Sequence, residues 1–137
     1  MSRRGAREVA LKTLFVLDFA PEAEVETTMM TAKEDVADVS SKDMAYSKAL
    51  IEGTKAHEAE IDNTLGQISQ EWEVSRMSAV DRNILRLISY ELFYGEEKLP
   101  ASVGINEAVE LAKLYGSDDS PSFINGLLGA VVRKNEQ

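Results

Sequence analysis

The sequence predicts an all-α, single-domain protein, and three observations predict it. Apolar residues recur at three- and four-residue spacing along nearly the whole chain, the signature of helices with one buried face. No stretch alternates with period two for long enough to make a strand. Two helix starts are written in the residues themselves, Ser78 with Asp81 and Ser120 with Pro121, the first with the spacing of a capping box and the second with proline at the first helical position.

Taken in order, a first helix is expected over about residues 4–19, with Ala6, Ala10, Leu14 and Leu17 on one face and Leu11 and Phe15 beside it. Pro21 marks its end or the next start. Residues 18–43 hold eight acids against two lysines with weak periodicity, which predicts a short, marginal helix and long connections. A helix over 42–55 points Tyr46, Leu50 and Ile51 inward, weakened near its end by Gly53. Another over 58–72 uses Ile61, Leu65, Ile68 and Trp72. The helix opened by Ser78 runs to about Tyr94 on Val80, Ile84, Leu85, Ile88 and Leu92. Residues 103–115 form a further helix with Ala108, Leu111, Ala112 and Tyr115 inward, closed by Gly116 as the residue just past the end. Ser120 then caps a last helix, carried by Phe123, Ile124, Leu127, Leu128 and Val131 to about Arg133.

A chain of 137 residues buries roughly two-thirds of its unfolded surface, enough for one core and too little for two. Residues 1–137 are therefore expected to be one domain. Cysteine is absent, which removes disulfides, zinc-thiolate sites and thiol nucleophiles and suits a reducing compartment, the cytoplasm. Lys12 interrupts the apolar segment after Arg3 and Arg4, so no secretory leader is expected, and no segment is apolar enough to span a membrane.

Enzyme chemistry fails on inventory. The lone His57, read as a solvated residue between Ala56 and Glu58, cannot build a histidine metal site. There is no P-loop, dinucleotide fingerprint or nucleophile elbow. The pairs Glu96–Glu97 and Asp118–Asp119 fall in polar, solvated connections, which argues against acid–base work there. No catalysis, metal or cofactor is expected.

What remains points to recognition. The net charge is −9, yet Arg3, Arg4, Arg7 and Lys12 against Glu8 leave a local +3 at the start of the chain. That polarity suits a selective anion binder better than a general nucleic-acid coat. Arg3, Arg4 and Arg7 also sit at the positive end of a helix dipole, where an external anion would relieve them; the plain alternative is a frayed, solvated start. Arg82, Arg86 and Tyr90 recur at four-residue spacing on one helix face, and two like charges so placed want an anion: an internal carboxylate, a phosphate or an acidic partner. Phe123 falls in the first turn of the last helix, where an aromatic ring beside free amides can stack an unpaired base; against that, a phenylalanine in a helix is usually core, and Asp118 and Asp119 already complement the dipole.

Read in order, R-R-G-A-R-E at 3–8, V-D-R-N-I-L-R-L-I-S-Y-E-L at 80–92, I-N-E-A-V-E-L-A-K-L-Y-G at 105–116 and S-P-S-F-I-N-G-L-L at 120–128 resemble the NusB family of bacterial transcription antitermination factors. The resemblance implies about seven helices in two small subdomains. It implies no catalysis, but binding of the boxA RNA element of nascent transcripts together with NusE, a ribosomal protein, within the RNA polymerase antitermination complex that reads through ribosomal RNA operons. By position it implies RNA contacts from Arg3, Arg4, Arg7, Asp119, Ser120 and Phe123. Phe15, Asp81, Arg82 and Arg86 match the neighbourhood that meets the ribosomal-protein partner or the RNA beside it. Monomer and homodimer both occur in the family. The arginine tract is short and carries Gly5, and Ser122 stands where a basic residue is frequent, which implies weak RNA binding alone and tighter binding with the partner. The alternative is a helical protein-interaction module without specific RNA binding.

Overall fold

Seven helices carry the chain in a computed structural model that describes residues 3–69 and 73–136. They are α1 (Arg4–Phe19), α2 (Val25–Glu34), α3 (Ser41–Ala56), α4 (Glu58–Ile68), α5 (Ala79–Phe93), α6 (Ala101–Tyr115) and α7 (Ser120–Asn135), with a 3₁₀ turn at Val74–Arg76 before α5. Among the described residues there is no strand. Helices α1, α2 and α3 pack together, α4, α6 and α7 gather on the other side, and α5 touches both groups. Seven consecutive residues of α5, Asn83 to Ser89, are buried, the mark of a helix enclosed by others rather than lying on a surface.

The buried positions of α1 include Ala6, Val9, Ala10, Leu14 and Leu17, the four-residue stripe that the periodicity predicts plus Val9. Its Phe15, by contrast, stays outside at 36% exposure. The weakly periodic acidic stretch does hold one helix, α2, which needs only Met29 and Ala32 in the core. Helix α3 starts one residue earlier than expected because Ser40 and Asp43 form a reciprocal capping box, each side chain accepting from the other's backbone N–H at 3.1 Å. At Ser78 only half of such a box forms, Ser78 Oγ accepting from the Asp81 N–H.

Three expectations are corrected, those for His57, the end of α4 and Ser120. His57 does not sit on a solvated face: half-buried, it joins α3 directly to α4 and stacks on Tyr94 with ring centres 4.3 Å apart. The described part of α4 ends at Ile68, and Trp72, expected inward, lies outside the described residues. Gly116 follows the last residue of α6 as expected, with extended backbone at φ −92° and ψ −170°; a side chain there would strike Ser120, whose Oγ lies 2.5 Å from the Cβ position. Ser120 is the first residue of α7 rather than its cap. Asp119 holds the cap position, and Ser120 Oγ turns back to accept from the Ser117 N–H at 2.9 Å.

Gly53 does not weaken α3 by accident. The ring of Tyr90 on α5 crosses its backbone so closely that a Cβ would fall 2.1 Å from Tyr90 Cζ, and the contact sets how near α3 approaches α5. Gly53→Ala should therefore cost about 1–3 kcal/mol in urea unfolding, and most of that cost should vanish when Tyr90→Ala is present in the same chain. Equal costs in both backgrounds would refute the contact.

Candidate nucleic-acid interface

The arginine cluster separates into an outward and an inward part. Arg3 is exposed, its guanidinium 4.0 Å from the centre of the Tyr46 ring. Arg4 forks onto Glu107 of α6, Nη2 to Oε2 at 2.7 Å and Nε to Oε1 at 3.3 Å, with much of its side chain in solvent. Arg7 is different. It is 6% exposed and donates from Nε and Nη2 to both oxygens of Glu91 at 2.7 and 3.0 Å, and from Nη1 to Glu107 at 3.3 Å. Tyr46 completes the cluster, its hydroxyl donating to Glu91 at 2.6 Å. Burial works against the Arg7 cation, but Glu91 and Glu107 outweigh it and hold its pKa above the ordinary value. Direct RNA contact by Arg7 does not fit this geometry, because its donors are already engaged inside the protein. It anchors the start of α1, which carries Arg3 and Arg4.

The arginines of α5 meet carboxylates of the acidic body, one of the three partners their spacing leaves open. Arg82 donates to Asp18 from Nε and Nη2 at 3.0 and 2.7 Å and to the Met77 carbonyl at 2.9 Å. Arg86 forks onto Asp62 at 2.8 Å twice, with Asp18 and Glu58 each 3.6 Å away. With side chains 14% and 9% exposed, both face inward, and an outside partner would first have to break these pairs. Of the expected partner residues, Phe15 and Asp81 remain reachable.

Phe15 lines a groove of about 500 Å³ between α1 and α2, with Val16, Thr28, Ala32, Val80 and Tyr115. Phe19, 69% exposed, extends the apolar strip beyond it. Tyr115 is tied to Glu8 through its hydroxyl, and burial with that bond raises its pKa. At the start of α7, Phe123 is half-buried and lines a cleft of about 280 Å³ with Asp119, Asp81, Arg76, Met77 and Ser78. Asp81 Oδ1 is buried there without a hydrogen-bond partner among the described atoms. Ser120 is 1% exposed and shapes this turn from within rather than presenting its hydroxyl. The structure thus brings Asp119, Phe123 and Asp81 together and leaves Ser120 behind them. Asp81 and Phe123 share one cleft, a position that suits the second of the two partners the resemblance allows Asp81, the RNA beside the ribosomal protein.

Residues 4–133 match the family model described as NusB family. The chain belongs to the NusB family. A transcription antitermination protein NusB of Desulfitobacterium hafniense is 43% identical over 132 residues, covering 96% of this chain and 88% of that one. Its counterpart in Bdellovibrio bacteriovorus is 38% identical over 130 residues, covering 95% and 94%. The structure of T. maritima NusB superposes with a TM-score of 0.84 at 32% identity, covering 98% and 92%. A crystal structure of the antitermination factors NusB and NusE in complex with dsRNA superposes at 0.81 and 26% identity, covering 96% of each chain.

Within this NusB fold, sequence reasoning missed the carboxylates that take up the arginines. Glu91 lies inside an otherwise apolar run, Y-E-L, and a lone acid on a buried helix is a signal that a cation must meet it. Asp18 gives no such signal. Burial raises its pKa, yet the bonds from Arg82 and Asn83 prevail and hold it below the usual carboxylate value. A depressed folded-state pKa contributes stability above the unfolded value, about pH 4, that is lost as pH falls through the folded value. Urea unfolding at a series of pH values should show Asp18→Asn less stable than the parent at pH 7, with a shallower loss of stability below about pH 4. Parallel curves would contradict the pairing.

Proposed function

We propose that this chain is a transcription antitermination factor that binds single-stranded boxA-type RNA of nascent transcripts together with NusE, and so supports read-through in ribosomal RNA operons. Its relatives carry the name transcription antitermination protein, and a structural neighbour holds NusE and RNA. The observation that carries the reading onto this chain's own residues is the α6–α7 turn. A half-buried phenylalanine beside Asp119, Met77 and the exposed Arg76 offers a ring to stack an unpaired base and a cation to hold its phosphate. Arg3 and Arg4 supply further cations at the start of α1. The groove at Phe15, apolar and continuous with Phe19, is the surface we assign to NusE, because exposed apolar area on one helix favours a protein over RNA.

The role needs no catalysis and no cofactor, and the cytoplasm is where it is exercised. Residues 1–137 act as one domain in this reading. Among the described residues no helix is long and apolar enough to cross a membrane. The second reading, a protein-interaction module indifferent to RNA sequence, draws on the fact that Arg7, Arg82 and Arg86 are held by internal carboxylates. The same fact supports weak binding alone, since fewer cations remain for phosphates.

Titration of labelled boxA-type RNA and a scrambled RNA of equal length, with and without NusE, separates the readings. Preference for boxA that NusE strengthens is expected, and Phe123→Ala should weaken it by roughly one to two orders of magnitude, the worth of one stacked base. Equal, salt-erased binding to both RNAs would favour the interaction module. If binding without NusE matched that of the binary complex, the coupling would be refuted.

A further inference from the structure

Helices α6 and α7 leave a second surface beside the α7 start, on the flank opposite Phe123. It is a shallow groove of about 510 Å³ whose apolar floor is Ile105, Val109 and Pro121 and whose polar rim includes Asn106, Ser122 and Asn125. No lining residue carries a charge, although the chain as a whole is at −9. The rim side chains are exposed, and none makes a hydrogen bond to a described residue. Two carboxamides and a hydroxyl therefore face outward with every donor and acceptor open.

Gly126 adds an independent observation. It lies in the interior of α7, exposed, and a Cβ placed on it would meet nothing within 4 Å. Glycine inside a helix weakens it relative to alanine, and no contact within the fold requires it here. A bare stretch of helix next to Asn125 and Ser122 instead lets a ligand lie close against the backbone.

We infer that this groove is a second RNA subsite, which takes the nucleotides flanking those bound at Phe123. The inference rests on the RNA reading of the α7 turn. Its chemistry favours bases over phosphates. A carboxamide matches the paired donor and acceptor of a base edge, most closely adenine, while an apolar floor accepts the base plane and an uncharged rim does not repel the backbone. Continuity favours one strand, because Pro121 and Ser122 of the groove lie in the first turn of α7, between Asp119 and Phe123 of the cleft. The strand crosses α7 at its start, a span of about one helix diameter, roughly 10 Å, which a few nucleotides bridge.

The test uses the full chain with NusE and a boxA-type RNA, alone or extended by about four adenosines at the 5′ end, the 3′ end or both. Extension at one end should tighten binding by about fivefold or more, within what a stacked, edge-read base supplies. The double substitution Asn106→Ala, Asn125→Ala and the single Gly126→Gln should each erase that gain and leave the unextended RNA within about twofold of the parent. Gly126→Gln should also raise the melting temperature, so a loss of binding cannot be assigned to unfolding. No gain from either extension, or a gain that both variants keep, overturns the subsite and leaves the groove to a protein. Phe123→Ala is the control for the underlying reading: if it leaves the unextended RNA untouched, that reading fails, and this inference with it.

Discussion

A buried guanidinium must find its counter-charge inside the protein, and the pair Arg7–Glu91 is where this fold meets that demand. Both carboxylate oxygens of Glu91 accept from Arg7 and one also accepts from Tyr46, so three elements, α1, α3 and α5, converge on a single acid. Removing one partner of such a pair typically costs about 3–5 kcal/mol, because the other is left charged and unsolvated. The geometry is also selective, since a planar fork on a carboxylate fixes direction as well as distance. With Arg7 fixed, the first turn of α1 has one place to be, and Arg3 and Arg4 leave the surface from there.

The far end of the same helix is held by the opposite arrangement. There α1 supplies the acid, Asp18, and α5 supplies the cations Arg82 and Arg86. Helix α1 is thus pinned to the central helix at both ends by pairs of reversed polarity, which favours one register over slipped alternatives. Its apolar side between the pins is consumed by the core, and the residues on its outer side, Phe15, Val16 and Phe19, are only partly covered by the fold. The surface assigned to the protein partner is in this sense a consequence of the pins. The surface proposed for RNA is distinct from it. It comprises the α6–α7 turn, the start of α5 and the first residues of α1, so a partner that steadies α1 and α5 would steady the cations proposed to meet RNA.

Periodicity and caps made the helices legible: all seven fall near their expected spans, including the weakly patterned α2. Helix ends were read less well where a side chain serves a neighbour instead of its own helix, as Ser120 does for Ser117. Candidate site residues were legible as chemistry but not as direction. Arg3 and Arg7 are the same residue type four positions apart, yet one faces solvent and the other a carboxylate 84 positions away. Spacing along a helix places two side chains on one side of it without saying what lies opposite. Phe123 and Phe15 are only partly buried, although aromatic residues at helical spacing usually end in the core.

Arg7 holds the start of α1 from within, and in the proposed function Arg3 meets the phosphates. The most direct measurement is the salt dependence of boxA-type RNA binding by the complex with NusE, taken for Arg3→Gln and Arg7→Gln at a temperature where both variants are folded. The slope of log affinity against log salt should shrink by about 0.7 for Arg3→Gln, one phosphate contact on a single strand, and stay at the parent value for Arg7→Gln. An equal reduction in the Arg7 variant would show that this arginine reaches the RNA, and would contradict the account.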